Sequence, residues 1–129
     1  MKHPSRLAAL LLVTALSAAP LTTAVAAEPP AKFVNGVLVD ARGMTVYTFD
    51  KDTTNSGKSA CNGPCAVMWP PVAASASDRP AGPFAIVTRE DGSRQWSYYG
   101  KPIYTYQADR GPGERAGDNF KDAWHIIKE

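Results

Sequence analysis

The residues best equipped for chemistry are a tyrosine and an aspartate that the chain uses twice at one spacing. Tyr47, Phe49 and Asp52 close the stretch Gly43-Met44-Thr45-Val46-Tyr47-Thr48-Phe49-Asp50-Lys51-Asp52; Tyr104, Tyr106 and Asp109 close Gly100-Lys101-Pro102-Ile103-Tyr104-Thr105-Tyr106-Gln107-Ala108-Asp109. Both copies read Gly-x-x-(Val/Ile)-Tyr-Thr-(Phe/Tyr)-x-x-Asp, and each is followed downstream by a tryptophan, Trp69 or Trp124. Two carboxylate acceptors beside aromatic walls suit a paired binding site, and these six residues are the candidate binding residues. The same types also serve structure. Tyr and Phe at i and i+2 pack one strand face, and an Asp caps the turn after it. A unit that recurs within one chain recurs first because each copy must fold and pack.

The second constellation is Cys61-Asn62-Gly63-Pro64-Cys65 with Met68 nearby in sequence and His125 far from it. Two thiolates, a thioether and an imidazole are the soft set that copper prefers. The Cys-x3-Cys pair resembles that of respiratory-chain copper-delivery proteins, although the βαβ pattern of their thioredoxin-like fold is absent. The pair also lends itself to thiol–disulfide exchange, though exchangers usually separate their cysteines by two residues. In an exported chain the simplest reading is a disulfide that staples a small core and fixes the Asn62-Gly63-Pro64 turn. Copper and redox work through Cys61, Cys65, Met68 and His125 remain the alternative.

Other chemistries find less support. Asp50 to Gly57 is oxygen-rich like a calcium loop, but Asn55 stands where such a loop needs glycine and Cys61 where it needs a bidentate Glu. No Gly-x-Ser-x-Gly elbow, phosphate loop or dinucleotide fingerprint occurs. The expected role is therefore non-enzymatic, with no cofactor required. Trp69, Trp96 and Trp124, with Tyr98 and Tyr99, would serve either as a stacking surface or as the core itself.

The elements that position these residues are short strands. Phe33-Val34 meets the Asn35-Gly36 turn, Val37-Leu38-Val39 follows, and Met44 to Asp50 is the expected return strand. Tyr47 and Phe49 share one face of it and Val46 and Thr48 the other, so both faces are apolar and the strand is central. Ala66 to Trp69 forms a single helical turn that Pro70-Pro71 stops. Val72 to Pro83 reads as a connector. Phe84 to Arg89, Gln95 to Tyr99, the second repeat and Trp124 to Ile127 are the later strands. The expectation is a mostly-β single domain of two pseudo-repeated hairpin units, over about 33–72 and 84–128, with only short helical turns.

Residues 1–27 read as a signal peptide: Lys2, His3 and Arg6, an apolar run from Leu7 to Leu16, then small residues that place cleavage near Ala26 or Ala27. The full chain of 129 residues has formal charge +2, but Lys2 and Arg6 leave with the signal. The remainder holds 12 basic and 12 acidic residues, so a nucleic-acid partner loses its electrostatic support and no membrane span remains. With cysteines only at 61 and 65, no lipidation cysteine stands at the cleavage point.

The doubled motif, the Cys61–Cys65 turn, Trp69-Pro70-Pro71 and Asp91-Gly92 with Gln95-Trp96 resemble a family of bacterial secreted repeats. These are predicted lipoproteins that carry a Tyr-x-(Phe/Trp/Tyr)-x-x-Asp motif. The resemblance covers nearly the whole of 28–129 and implies export and tandem repeats, but no activity. The expected location is periplasmic or secreted, with an unidentified ligand or partner in the cell envelope.

Overall fold

The computed structural model describes residues 1–5, 8–21 and 28–129; the expected cleavage point at Ala26 or Ala27 lies outside them. Residues 8–21 form no helix or strand, and among the described residues no helix is long and apolar enough to cross a membrane.

From residue 31 the chain is mostly β. Strands β1 (Ala31–Val34) and β2 (Val37–Asp40) form a hairpin through Asn35 and Gly36, both with positive φ, as a tight two-residue turn requires. Strand β3 (Tyr47–Phe49) follows, then the short helix α1 (Pro64–Met68). The second half contains β4 (Phe84–Thr88), β5 (Arg94–Tyr98), β6 (Lys101–Pro102), a 3-10 turn at Phe120–Asp122, and β7 (Trp124–Ile126). The β4-β5-β6 sheet is antiparallel, like the β1-β2 and β3-β7 pairs.

The expected return strand from Met44 is shorter than its sequence suggests. Only Thr45 bridges back to Val39 in β2, and Val46 donates its N–H to Leu38 O at 3.0 Å. At Tyr47 the backbone turns to the other half of the molecule: Tyr47 N–H donates to Tyr104 O at 2.8 Å, and Tyr104 N–H to Tyr47 O at 3.0 Å. The opposite edge of the same strand pairs with β7. The segment is thus central, as its two apolar faces require.

Each half lends its tail to the other. Val72 to Ala74, expected as connector, lies along β5: Trp96 N–H donates to Val72 O at 2.8 Å and Ala74 N–H to Arg94 O at 3.0 Å. Reciprocally, Val37 in β2 bridges Lys128, and Leu38 N–H donates to Ile127 O at 2.9 Å. The connector fails as a loop because its first residues complete the second half's sheet. Tyr99 also departs from expectation. It leaves β5 with φ 45°, followed by Gly100 at φ 80°, and forms the tight turn into β6. Gly100, like its counterpart Gly43 at φ 83°, is the motif's glycine because the turn needs a left-handed backbone there.

Two apolar cores lie on either side of this interlocked sheet system. Tyr47, Phe49, Cys61, Trp69, Tyr104, Tyr106 and Trp124 form one; Ala31, Leu38, Val46, Phe84, Trp96 and Ile103 form the other. Adjacent residues of one motif therefore feed opposite cores, as strand alternation dictates.

Candidate functional site

The repeated tyrosines and aspartates meet at the pseudo-twofold centre, and they meet crosswise. Tyr47 Oη donates to Asp109 Oδ2 at 2.6 Å, and Tyr104 Oη donates to Asp52 Oδ2 at 2.6 Å. Each carboxylate turns its second oxygen to the loop after its own strand: Ala60 N–H donates to Asp52 Oδ1 at 2.6 Å, and Ala116 N–H to Asp109 Oδ1 at 2.9 Å. Each aspartate N–H also closes a turn, on Phe49 O or Tyr106 O. A single residue thus fixes a turn, a loop and the opposite repeat.

Four rings interleave beside this lock. Phe49 stacks on Trp124 (centroids 4.1 Å, 10°), Trp124 on Trp69 (3.8 Å, 2°), and Trp69 on Tyr106 (4.2 Å, 24°), so the repeats alternate along the stack. The two lock tyrosines close it edge-on, Tyr47 against Trp69 and Tyr104 against Trp124. Offset and edge-to-face pairs of this kind add about 0.5–1.5 kcal/mol each beyond the area they bury. Gly117 passes so close to Trp69 that a Cβ there would lie 2.6 Å from the indole, and its N–H donates to Tyr47 Oη at 3.3 Å.

All six candidate binding residues are buried, with Tyr47 and Tyr104 fully enclosed. The polar side-chain atoms of Tyr47, Tyr104, Asp52 and Asp109 are spent on one another, on the backbone and, at Tyr104, on the Ser59 hydroxyl. A ligand reaches them only when the lock opens. Burial, and then the bond to the facing carboxylate, push both tyrosine hydroxyls well above their ordinary value of 10.

The two locks sit in different surroundings. Around Tyr104 the chain adds Ser59, whose Oγ lies 2.7 Å from Tyr104 Oη, and a buried cation, Arg89. Arg89 donates to Ser59 Oγ at 3.0 Å, Gln95 Oε1 at 2.6 Å, Cys61 O and Asn62 Oδ1, and among the described residues it forms no ion pair. Asp52 is raised above the ordinary carboxylate value by burial, opposed by the Tyr104 and Ala60 hydrogen bonds and by the Arg89 charge. Sequence reasoning missed Ser59, Arg89 and Gln95. The available signal was strand periodicity, which puts Arg89 on the face of buried Val87.

Cys61 and Cys65 form a disulfide (S–S 2.06 Å), as expected of a staple. This corrects the copper alternative for the oxidised protein, since neither sulfur is a free thiolate while each is bonded to the other. Met68 stands exposed at the end of α1. His125 joins a different group, with Nε2 2.8 Å from Asp50 Oδ2 and Nδ1 3.1 Å from Asn119 Oδ1, so both ring nitrogens are occupied. Among the described residues no three His, Cys, Asp or Glu side chains are placed to hold a metal ion.

Two β repeats that exchange tails and close on each other through paired Tyr–Asp bonds define a tandem-repeat scaffold. The family described as a secreted repeat of unknown function matches residues 34–73 and 85–128, and the chain belongs to that family. No curated protein and no solved structure matches the chain.

Proposed function

We propose that the chain is an exported, non-enzymatic binding domain of the cell envelope, released by removal of residues 1–27 and not lipidated, periplasmic or secreted. The observation that carries this reading is the crossed lock. The repeated motif, the part of the chain richest in chemical groups, is committed to holding two halves together. The Tyr-x-aromatic-x-x-Asp pattern then acts as the repeat's closing device, and the binding residues proper lie on the frame it holds. A groove of about 350 Å³ on that frame runs between the end of β2 and the Pro70-Pro71 segment, and includes Arg42, Val72, Trp96 and Thr105. Its lining is largely apolar and its one guanidinium, Arg42, is already paired with Asp40 at 3.4 Å, so it suits an amide-rich ligand with an apolar face.

The test is amide-shift mapping of the labelled protein against fractionated envelope extract. Signals from Arg42, Ala73 and Thr105 should move while those of Tyr47 and Tyr104 stay fixed. Consumption of a small molecule that is lost in Tyr47→Phe or Asp52→Asn would overturn the non-enzymatic reading.

A further inference from the structure

The ring stack and the two locks together hold the groups that single-electron chemistry needs. Trp69 and Trp124 lie parallel at 3.8 Å and 2°, the closest ring pair among the described residues. Tyr47 stands edge-on to Trp69 at 5.3 Å, and Tyr104 edge-on to Trp124 at 5.1 Å. Indoles and phenols are the aromatic side chains that lose one electron most readily, and a phenol does so easily only when its proton leaves at the same time. Both lock phenols have their proton acceptor in place, a carboxylate oxygen at 2.6 Å, within the reach that proton transfer requires. Tyr106 supplies the contrast: it stacks on Trp69 at 4.2 Å, yet its hydroxyl meets no carboxylate among the described residues. Phe49 and Tyr106 end the stack and reach the surface at 8% and 9% exposure, so an oxidant there stands one ring from an indole.

We propose that the Trp69–Trp124 pair and the two Tyr–Asp bonds form an internal sink for single-electron oxidation, with Tyr47 and Tyr104 as its end points. A small radical oxidant at the surface takes one electron from the indole pair and is reduced to its anion. The indole radical cation then takes an electron from Tyr104 or Tyr47, and in the same step the phenolic proton crosses to Asp52 Oδ2 or Asp109 Oδ2. The products are the reduced oxidant, the restored indole pair, one neutral phenoxyl radical and one protonated carboxyl, so charge and electrons balance. At Tyr104 the phenol gives its proton to Asp52, which leaves Ser59 Oγ, 2.7 Å away, to donate to the phenoxyl oxygen. Burial raises Asp52 above the ordinary carboxylate value, which favours the arrival of the proton. Full enclosure of both tyrosines keeps a phenoxyl from coupling with a second chain. Capture is stoichiometric, one electron for each tyrosine, so the inference goes beyond the binding reading and holds whether or not the groove takes a ligand.

The experiment is pulse radiolysis of the disulfide-bonded chain with azide radical, following the indolyl and phenoxyl absorbances. Every protein carries Tyr99→Phe, which removes the exposed phenol that the radical would meet directly. Fast indolyl decay should coincide with the phenoxyl rise, and adding Tyr47→Phe with Tyr104→Phe should slow that decay about tenfold or more. Azide consumption should stay the same, since the indoles and not the lock tyrosines meet the oxidant. Equal indolyl lifetimes with and without the two tyrosines overturn them as end points. Asp52→Asn in the Tyr47→Phe chain should slow the phenoxyl rise about tenfold, because Tyr104 then lacks its base; an unchanged rise overturns the carboxylate as acceptor. Should these variants fail to fold, solvent deuteration still decides the coupled step without a change at either lock. The phenoxyl rise in chain refolded in heavy water should be about twofold slower or more, and the same rate in both solvents overturns the joint transfer of electron and proton.

Discussion

The Tyr104–Asp52 lock and the Tyr47–Asp109 lock have matching bonds and unmatched neighbourhoods. In both, a phenol donates at 2.6 Å to a carboxylate of the other repeat, and that carboxylate accepts a loop N–H through its second oxygen. Around Tyr47 the additional partner is a single backbone donor, Gly117 N–H. Around Tyr104 it is a hydroxyl, tied through Arg89 to Gln95 and to the cysteine loop. The bonds the two copies share are those that any closing pair needs. The parts found in one copy only, the disulfide and the buried cation, are what make the two locks unequal.

The largest expected break in this pairing comes from the ring stack, which both locks share. Trp69→Ala or Trp124→Ala should destabilise by about 3–5 kcal/mol, because a large buried ring leaves a cavity that two neighbouring rings cannot fill. For so small a domain, that change should bring the urea midpoint down sharply. A similar cost from either substitution would show that the stack is energetically symmetric.

Removing one hydroxyl separates the locks. Tyr104→Phe and Tyr47→Phe should each cost about 1.5–3 kcal/mol, the range for a hydrogen bond to a charged group. Tyr104→Phe should cost the more, since it takes a partner from two buried side chains, Asp52 and Ser59, whereas Tyr47→Phe takes one from Asp109 and from a backbone N–H. The check is the denaturation midpoint of each at constant slope. Reversed order would mean that the Arg89 network compensates for the missing hydroxyl.

A smaller effect is expected from the disulfide. Its loop is short, so Cys61→Ser with Cys65→Ser should cost about 2 kcal/mol or less. The loss should appear mainly as a weaker Trp69 environment in the near-ultraviolet circular dichroism.

The smallest effect, in strongly alkaline solution, reads both locks together. Tyr47 and Tyr104 are raised in the folded protein, so the fold holds their protons more tightly than the unfolded chain does. Their contribution is complete below pH 10, the ordinary tyrosine value, and declines as pH rises beyond it. Spectrophotometric titration should show that two of the five tyrosines ionise only as the chain unfolds. Asp52, also raised, acts in the same direction in the acid range: its contribution declines as pH rises through the carboxylate region.

Much of this was legible in the sequence because it rests on local chemistry. Asn35-Gly36 marked the first hairpin, Pro70 stopped α1, the alternation in the motif foretold a central strand, and the spacing of Cys61 and Cys65 foretold a staple. The crossed pairing was hidden. Tyr47 and Asp109 are 62 residues apart, and identical motifs give no sign of which copy supplies the acceptor. The tail exchange was hidden for the same reason. Val72 to Ala74 has the small residues of a connector, and only the open edge of β5 makes it a strand. Arg89 was hidden because a charged residue at a strand end reads as solvated until its acceptors, drawn from the cysteine loop and β5, converge on it.

The central claim is that the motif's tyrosine and aspartate act across repeats, and a double-mutant cycle tests it most directly. Urea unfolding would be measured for Tyr104→Phe, Asp52→Asn, Asp109→Asn and the two doubles that contain Tyr104→Phe. The crossed pair, Tyr104 with Asp52, should show a coupling of about 1–3 kcal/mol, while Tyr104 with Asp109, its own repeat's aspartate, should be additive within about 0.5 kcal/mol. Coupling to Asp109 with additivity toward Asp52 would contradict the crossed lock.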